Sequence, residues 1–235
     1  MSSATVCWAV VPAAGTGQRM GGALPKQYLN LGGKPVIRHT FEALLASPAV
    51  CGIVVALGEH DSAWDKLKLS LDRPLLRTRG GAERSDSVLN ALRALSERTD
   101  ADDWVLVHDA VRPCLRRDDL ERLVHELRAD PVGGLLALPV HDTMKQAGAD
   151  RRVLRTLARE SLWRALTPQM FRIGLLVDAL ERAAVEAVAV TDEASAVEYA
   201  GHAPRLVEGH ADNIKITHRG DLALAEFYLR QQGRV

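Results

Sequence analysis

The sequence predicts an α/β domain in which a mostly parallel sheet is covered by helices on both faces. Three observations carry this. Short apolar runs alternate with stretches whose apolar residues recur at helical spacing. A glycine-rich loop follows the first of these runs, at the strand end where α/β sheets bind their ligands. The chain has 235 residues, 47% of them hydrophobic, which suits one large domain or one domain with an excursion.

Taken in order, Thr5–Val11 is short, apolar and β-branched and reads as a first buried strand, closed by Pro12. The loop that follows, with its flanks, runs VVPAAGTGQRMGGALPKQYLNLGGKP. Glycine lets backbone N–H groups approach oxygens closely, so such a loop points to phosphate. Its cations, Arg19 and Lys26, bracket the glycine turn. Neither standard nucleotide motif fits. Met20 stands where the dinucleotide fingerprint needs its third glycine, and no Gly-Lys-Ser/Thr closes a Walker loop.

Helical spacing then appears at Ile37, Phe41 and Leu44, at Val88, Leu92 and Leu95, and at Leu120, Val124 and Leu127. Strands are expected at Cys51–Leu57, Trp104–Val107 and Gly133–Val140. The segment HDAVRP follows Trp104–Val107 and so joins the glycine loop at the ligand-binding edge. His141–Ser161 breaks the rhythm: it is polar, arginine-rich, weakly periodic and too long for an ordinary connection. We read 1–235 as a single domain and 140–161 as an arm within it. Leu154 and Leu157 need a partner surface, so the arm is expected to embrace a second copy of the chain. Thr191–Ser195 reads as a helix N-cap with an acidic first turn, a structural role, and places Asp192 only at the margin of any site.

The formal net charge is zero, which argues against broad electrostatic binding to nucleic acid or membrane; cations that meet a polyanion must be local. Cys7, Cys51 and Cys114 lack zinc spacing, and the first two fall in expected strands, where thiols act as small hydrophobes. No signal peptide or long apolar span is evident, so a reduced, cytoplasmic protein is expected.

PAAGTGQRM followed by PKQYL resembles the opening of sugar and alditol nucleotidyltransferases. GGAERSDSV, VHDAVRPCL, DTMK, LWRALTPQMF and ADNIKIT then follow in one order along nearly the whole chain. With them the chain resembles, more narrowly, the 2-C-methyl-D-erythritol 4-phosphate cytidylyltransferase family of the non-mevalonate isoprenoid pathway. The resemblance implies a Rossmann-like nucleotidyltransferase domain with a protruding dimerisation arm. It implies a reaction in which a sugar-alcohol phosphate attacks the α-phosphorus of CTP and pyrophosphate leaves. A phosphate is itself the nucleophile, so such a site needs alignment and positive charge rather than a catalytic histidine or cysteine.

Carried over residue by residue, the resemblance gives Arg19 and Lys26 to the triphosphate, with Gly15 and Gly17 freeing backbone amides for it. Ala13, Ala14, Gly81, Ser87 and Ala110 would surround the nucleotide; cytosine offers a donor and acceptors that backbone groups can read. Ala82 departs from the aspartate common in relatives, which removes a side-chain contact to the base. Arg159 and Lys215 would hold the acceptor's phosphate, with Thr143 as a further acceptor contact. Thr143 and Arg159 lie on the arm and would complete a partner's site. Asp109 is the expected Mg2+ ligand, since a carboxylate beside polyphosphate otherwise repels it; a loop-turning role is the plain alternative. Asp212 is a weaker metal candidate, because ADN is also a good turn, and His108 is expected to be packed or hydrogen-bonded.

Two other readings stay open at this point. A cytidylyltransferase for another polyol phosphate, such as ribitol 5-phosphate, shares the CTP half and differs on the acceptor side, where Lys145 discriminates best. A non-catalytic nucleotide-binding domain would not need Arg19, Lys26, Arg159 and Lys215 together. The chain ends after one terminal helix pattern, so a fused cyclodiphosphate synthase domain is not expected.

Overall fold

The computed structural model describes residues 6–15 and 24–235. The first strand, β1 (Cys7–Pro12), is followed by a small hairpin, β2 (Asn30–Leu31) and β3 (Lys34–Pro35), and by α1 (Val36–Leu45). Next come β4 (Val50–Leu57), the short α2 (Ser62–Asp65), β5 (Leu75–Arg79), α3 (Arg84–Leu95), β6 (Trp104–Val107) and α4 (Arg117–Leu127). The second half holds β7 (Gly133–Pro139), β8 (Met144–Ala147), β9 (Val153–Leu157), β10 (Trp163–Arg172), α5 (Ile173–Val185), α6 (Glu193–Tyr199), β11 (Arg205–Glu208) and α7 (Arg219–Gln231).

Seven strands form the central sheet in the order β11-β7-β10-β6-β1-β4-β5. β1 runs parallel to β4 and β6, β4 to β5, and β11 to β7; β10 alone is antiparallel to its neighbours. The strands at the middle are apolar throughout because both faces are covered. Side chains alternate along a strand, so Ala9 and Val11 of β1 and Ile53 and Val55 of β4 face one layer. There they meet Ile37, Phe41 and Leu44 of α1 and Leu120, Leu123 and Leu127 of α4. Val10 and Val54 face the other layer, with Val88, Leu92 and Leu95 of α3 and Leu176 and Leu180 of α5. A smaller cluster ties α7, through Ala225 and Leu229, to Val111, Cys114 and Ile216. It fixes the segment after β6 against the one before α7; Ile216 N donates to Val111 O at 2.9 Å.

The expected strands are present, Trp104–Val107 with its expected ends and the others with ends shifted by a residue or two. Thr5 lies outside the described residues, and Pro12 is the last residue of β1 rather than a stop outside it. The stretch read as weakly periodic is a hairpin: β8 pairs antiparallel with β9, Met144 opposite Leu157 and Lys145 opposite Thr156. Apart from the half-buried Leu157, its residues are exposed on both faces, Val153 by 61% and Leu154 by 65%, so no buried stripe marked a period in the sequence. Cys7 and Cys114 are buried thiols and Cys51 is half-buried; none is disulfide-bonded. Among the described residues no helix is long and apolar enough to cross a membrane.

Candidate active site

The site forms where β1 and β6 end side by side. His108 N donates to Val10 O at 2.9 Å, so the loops after Pro12 and after Val107 leave the sheet together. They open on a cleft of about 220 Å³ lined by Ala13, Ala14, Gly15, Lys26, Gly81, Ser87, Asp109, Ala110 and Lys215. The expected residues that are described and not on the arm thus converge, Asp212 excepted. Gly17 and Arg19 lie outside the described residues.

Each wall has a local cause. Gln27 is buried, and its amide donates to Ala13 O at 2.8 Å and Gly15 O at 3.3 Å, clamping the start of the glycine loop. Gly80 is needed for close approach: a Cβ there would lie 2.4 Å from the Ala14 Cβ. That contact brings the N-terminus of α3 to the cleft. The helix start is fixed by a reciprocal cap in which Glu83 N donates to Asp86 Oδ2 at 3.0 Å. Gly81 N donates to Ser87 Oγ at 3.0 Å, and Ser87 Oγ donates to Glu83 O at 3.1 Å. The Gly81 amide is therefore engaged within its own turn, which Ser87 holds.

Asp109 is the electrostatic centre. Oδ1 accepts from Arg84 Nε at 3.2 Å; Oδ2 accepts from Arg112 Nε at 3.2 Å and from Lys215 Nζ at 3.0 Å. Burial alone would raise its carboxyl, but Arg84, Lys215 and Arg112 outweigh burial and hold it well below the usual carboxylate range. Lys26 Nζ donates to Ile216 O at 3.2 Å, which brings the cation of the first loop beside the Lys215 segment. Arg84 in turn grips Glu193, a carboxylate with 1% of its side chain exposed, through Nη1 at 2.5 Å and Nη2 at 3.1 Å. Burial pushes the Glu193 carboxyl up against the pull of Arg84.

His108 is fully buried. Its Nε2–H donates to Arg112 O at 3.1 Å, so Nδ1 is left to accept from the Thr167 hydroxyl at 2.8 Å. Thr167 Oγ1 accepts from Asp109 N at 3.2 Å. Burial lowers the His108 pKa to about 4, and the ring acts as a neutral strut. An adjoining hollow shares Arg84, Asp109 and Lys215 with the cleft and adds Arg112, Thr167 and Asp192. Asp192 also caps α6: Ser195 N donates to its Oδ1 at 3.0 Å.

Thr143 and Arg159 are exposed on or beside the hairpin and line neither hollow of their own chain; Arg159 Nη1 donates to His141 O. Lys145 Nζ spans the hairpin to Thr156 Oγ1 at 2.7 Å. Asp212 is buried away from the cleft, where its Oδ2 accepts from Arg116 at 2.7 Å and Gln232 at 3.0 Å. Asp109 fits a magnesium site: Mg2+ is usually held by one or two carboxylates plus substrate phosphates, and Oδ1 carries a single donor among the described residues.

Gln27, Arg84, Arg112 and Glu193 were not singled out from the sequence. Arg112 stands inside HDAVRP and Arg84 at the first turn after GGAE, so position beside a predicted loop was the available signal. Glu193 gave none beyond an acidic first turn.

A family model described as 2-C-methyl-D-erythritol 4-phosphate cytidylyltransferase matches residues 7–231. A protein of that name from Pseudomonas entomophila (strain L48) is 54% identical over 226 residues, 96% of this chain and 94% of that protein. One from Pseudomonas aeruginosa (strain UCBPP-PA14) is 55% identical over 216 residues, 92% of each. Among solved structures, the 2-C-methyl-D-erythritol 4-phosphate cytidylyltransferase of Francisella tularensis superposes with a TM-score of 0.83 at 36% identity, covering 96% of this chain and 100% of that one.

Proposed function

The chain belongs to the 2-C-methyl-D-erythritol 4-phosphate cytidylyltransferase family, and from that we propose the reaction it runs. It joins CTP and 2-C-methyl-D-erythritol 4-phosphate to give 4-diphosphocytidyl-2-C-methyl-D-erythritol and pyrophosphate. The observation that carries this reading is the convergence of Lys26, Lys215, Asp109 and the N-terminus of α3 on one cleft.

The chemistry follows from charge. Two anionic phosphates must meet, which costs free energy unless cations sit between them. Lys26, with Arg19, holds the triphosphate and stabilises charge on the departing pyrophosphate. Ala13, Ala14, Gly15 and Gly17, with Gly81, Ser87 and Ala110, shape the nucleotide side. Lys215 sits 3.0 Å from Asp109 at the wall between cleft and hollow, placed to pass from that carboxylate to the acceptor's phosphate. An acceptor oxygen then attacks the α-phosphorus in line, and the bond to pyrophosphate breaks. Mg2+, held by Asp109 and the phosphates, would neutralise further charge on the triphosphate. Asp212 is the less favoured ligand, because it lines neither the cleft nor the adjoining hollow.

We read 1–235 as one nucleotidyltransferase domain, cytoplasmic, with 140–161 as the arm of a homodimer. The arm would deliver Thr143 and Arg159 to the acceptor side of the partner's site. The test is pyrophosphate release from CTP with 2-C-methyl-D-erythritol 4-phosphate and, separately, ribitol 5-phosphate. Release with the first and not the second is expected. Release only with ribitol 5-phosphate moves the acceptor assignment, and release with neither refutes the reading.

A further inference from the structure

Glu193 needs a reason to be where it is. It lies in the first turn of α6 with 1% of its side chain exposed. The cap of that helix is made without it, by Asp192 and Ser195. A buried carboxylate is costly unless paired, and a well-packed apolar residue is often no worse for stability. Both Glu193 oxygens instead accept from one guanidinium, at 2.5 Å from Arg84 Nη1 and 3.1 Å from Nη2. The third guanidinium nitrogen, Arg84 Nε, donates to Asp109 Oδ1 at 3.2 Å. A guanidinium is planar, so holding its two Nη atoms fixes the direction of Nε–H. Arg84 and Asp109 both stand in the wall shared by the cleft and the adjoining hollow.

We infer that Glu193 is a positioning residue for the transfer step, aiming Arg84 so that Asp109 is held by Oδ1 and presents Oδ2 to Lys215 and Arg112. The inference rests on the reading of the cleft as the cytidylyl-transfer site. Lys215 must exchange Asp109 for the acceptor's phosphate during each turnover. A carboxylate pinned at one oxygen lets the lysine go, whereas one free to turn follows it. Glu193 touches no substrate, and its effect falls on turnover rather than on CTP binding.

The test compares wild type, Glu193→Gln and the double variant Arg84→Gln/Glu193→Gln, with kcat, both KM values and the melting temperature measured for each. Glu193→Gln is expected to lower kcat about ten- to one-hundred-fold, as loss of a supporting partner typically does, with the KM for CTP little changed. The double variant buries two amides and leaves neither charge alone, so it regains melting temperature but not kcat. A double variant whose kcat recovers together with its melting temperature overturns the inference, because the pair is then structural. So does wild-type kcat in Glu193→Gln. If that single variant does not fold, the double variant decides by the same criterion. If wild type itself releases no pyrophosphate, the reading of the cleft fails and takes the inference with it; an active wild type with unaffected variants sinks the inference alone.

Discussion

Asp109 gathers Arg84, Arg112 and Lys215, and Lys26 lines the same cleft, where we propose that it meets the triphosphate. Lys26→Ala should therefore act on turnover more than on acceptor binding. Losing one positioned donor to developing charge typically costs about 3–4 kcal/mol of transition-state stabilisation. Steady-state kinetics check this, and a near-normal kcat with only a raised acceptor KM contradicts it. His108 supplies a pH signature. Its pKa falls from 6.5 in the unfolded chain to about 4 in the folded one. Between those values the unfolded chain binds a proton that the folded chain does not, so stability falls as pH drops from 6.5 towards 4. The loss is on the order of 3 kcal/mol. Urea unfolding at pH 7 and pH 4.5 should show a smaller loss in His108→Gln than in wild type; equal losses contradict the assignment. Lys26, Lys215 and Asp109 were legible from residue type and from their place in loops after strands or in quoted motifs. Glu193 was not, because its meaning comes from Arg84, 109 residues away in sequence. No local pattern records such a pairing.

At the scale of elements, the central strands and the first helices were readable because burial imposes a period. β5 and β11 were not: they are the edges of the sheet and are only partly buried. β10 stood out as a motif, LWRALTPQMF, but nothing in its residues states that it runs against β6 and β7. The hairpin β8–β9 shows the converse, a regular element without a buried face. Its exposed Val153 and Leu154 are the apolar surface on which we propose that a second chain docks. Val153→Ser with Leu154→Ser should leave the melting of a monomer unchanged and weaken association. Sedimentation of the double variant tests this, and an unaltered dimer contradicts it.

At the scale of the molecule, the cleft of one chain lacks Thr143 and Arg159. If the arm supplies them to a partner, mixing Arg159→Ala with Lys26→Ala under subunit exchange should restore activity. One site of a mixed dimer then carries both lesions and the other neither. Absence of recovery, with exchange verified, places every contact within one chain. We propose that the cleft works by alignment and charge, with the acceptor's own phosphate as nucleophile and no covalent protein intermediate. The most direct measurement is the stereochemical course of one turnover with CTP made chiral at the α-phosphorus by a single sulfur. Inversion is expected, the mark of one in-line displacement. Retention at phosphorus, or a cytidylyl group trapped on the protein, would contradict it.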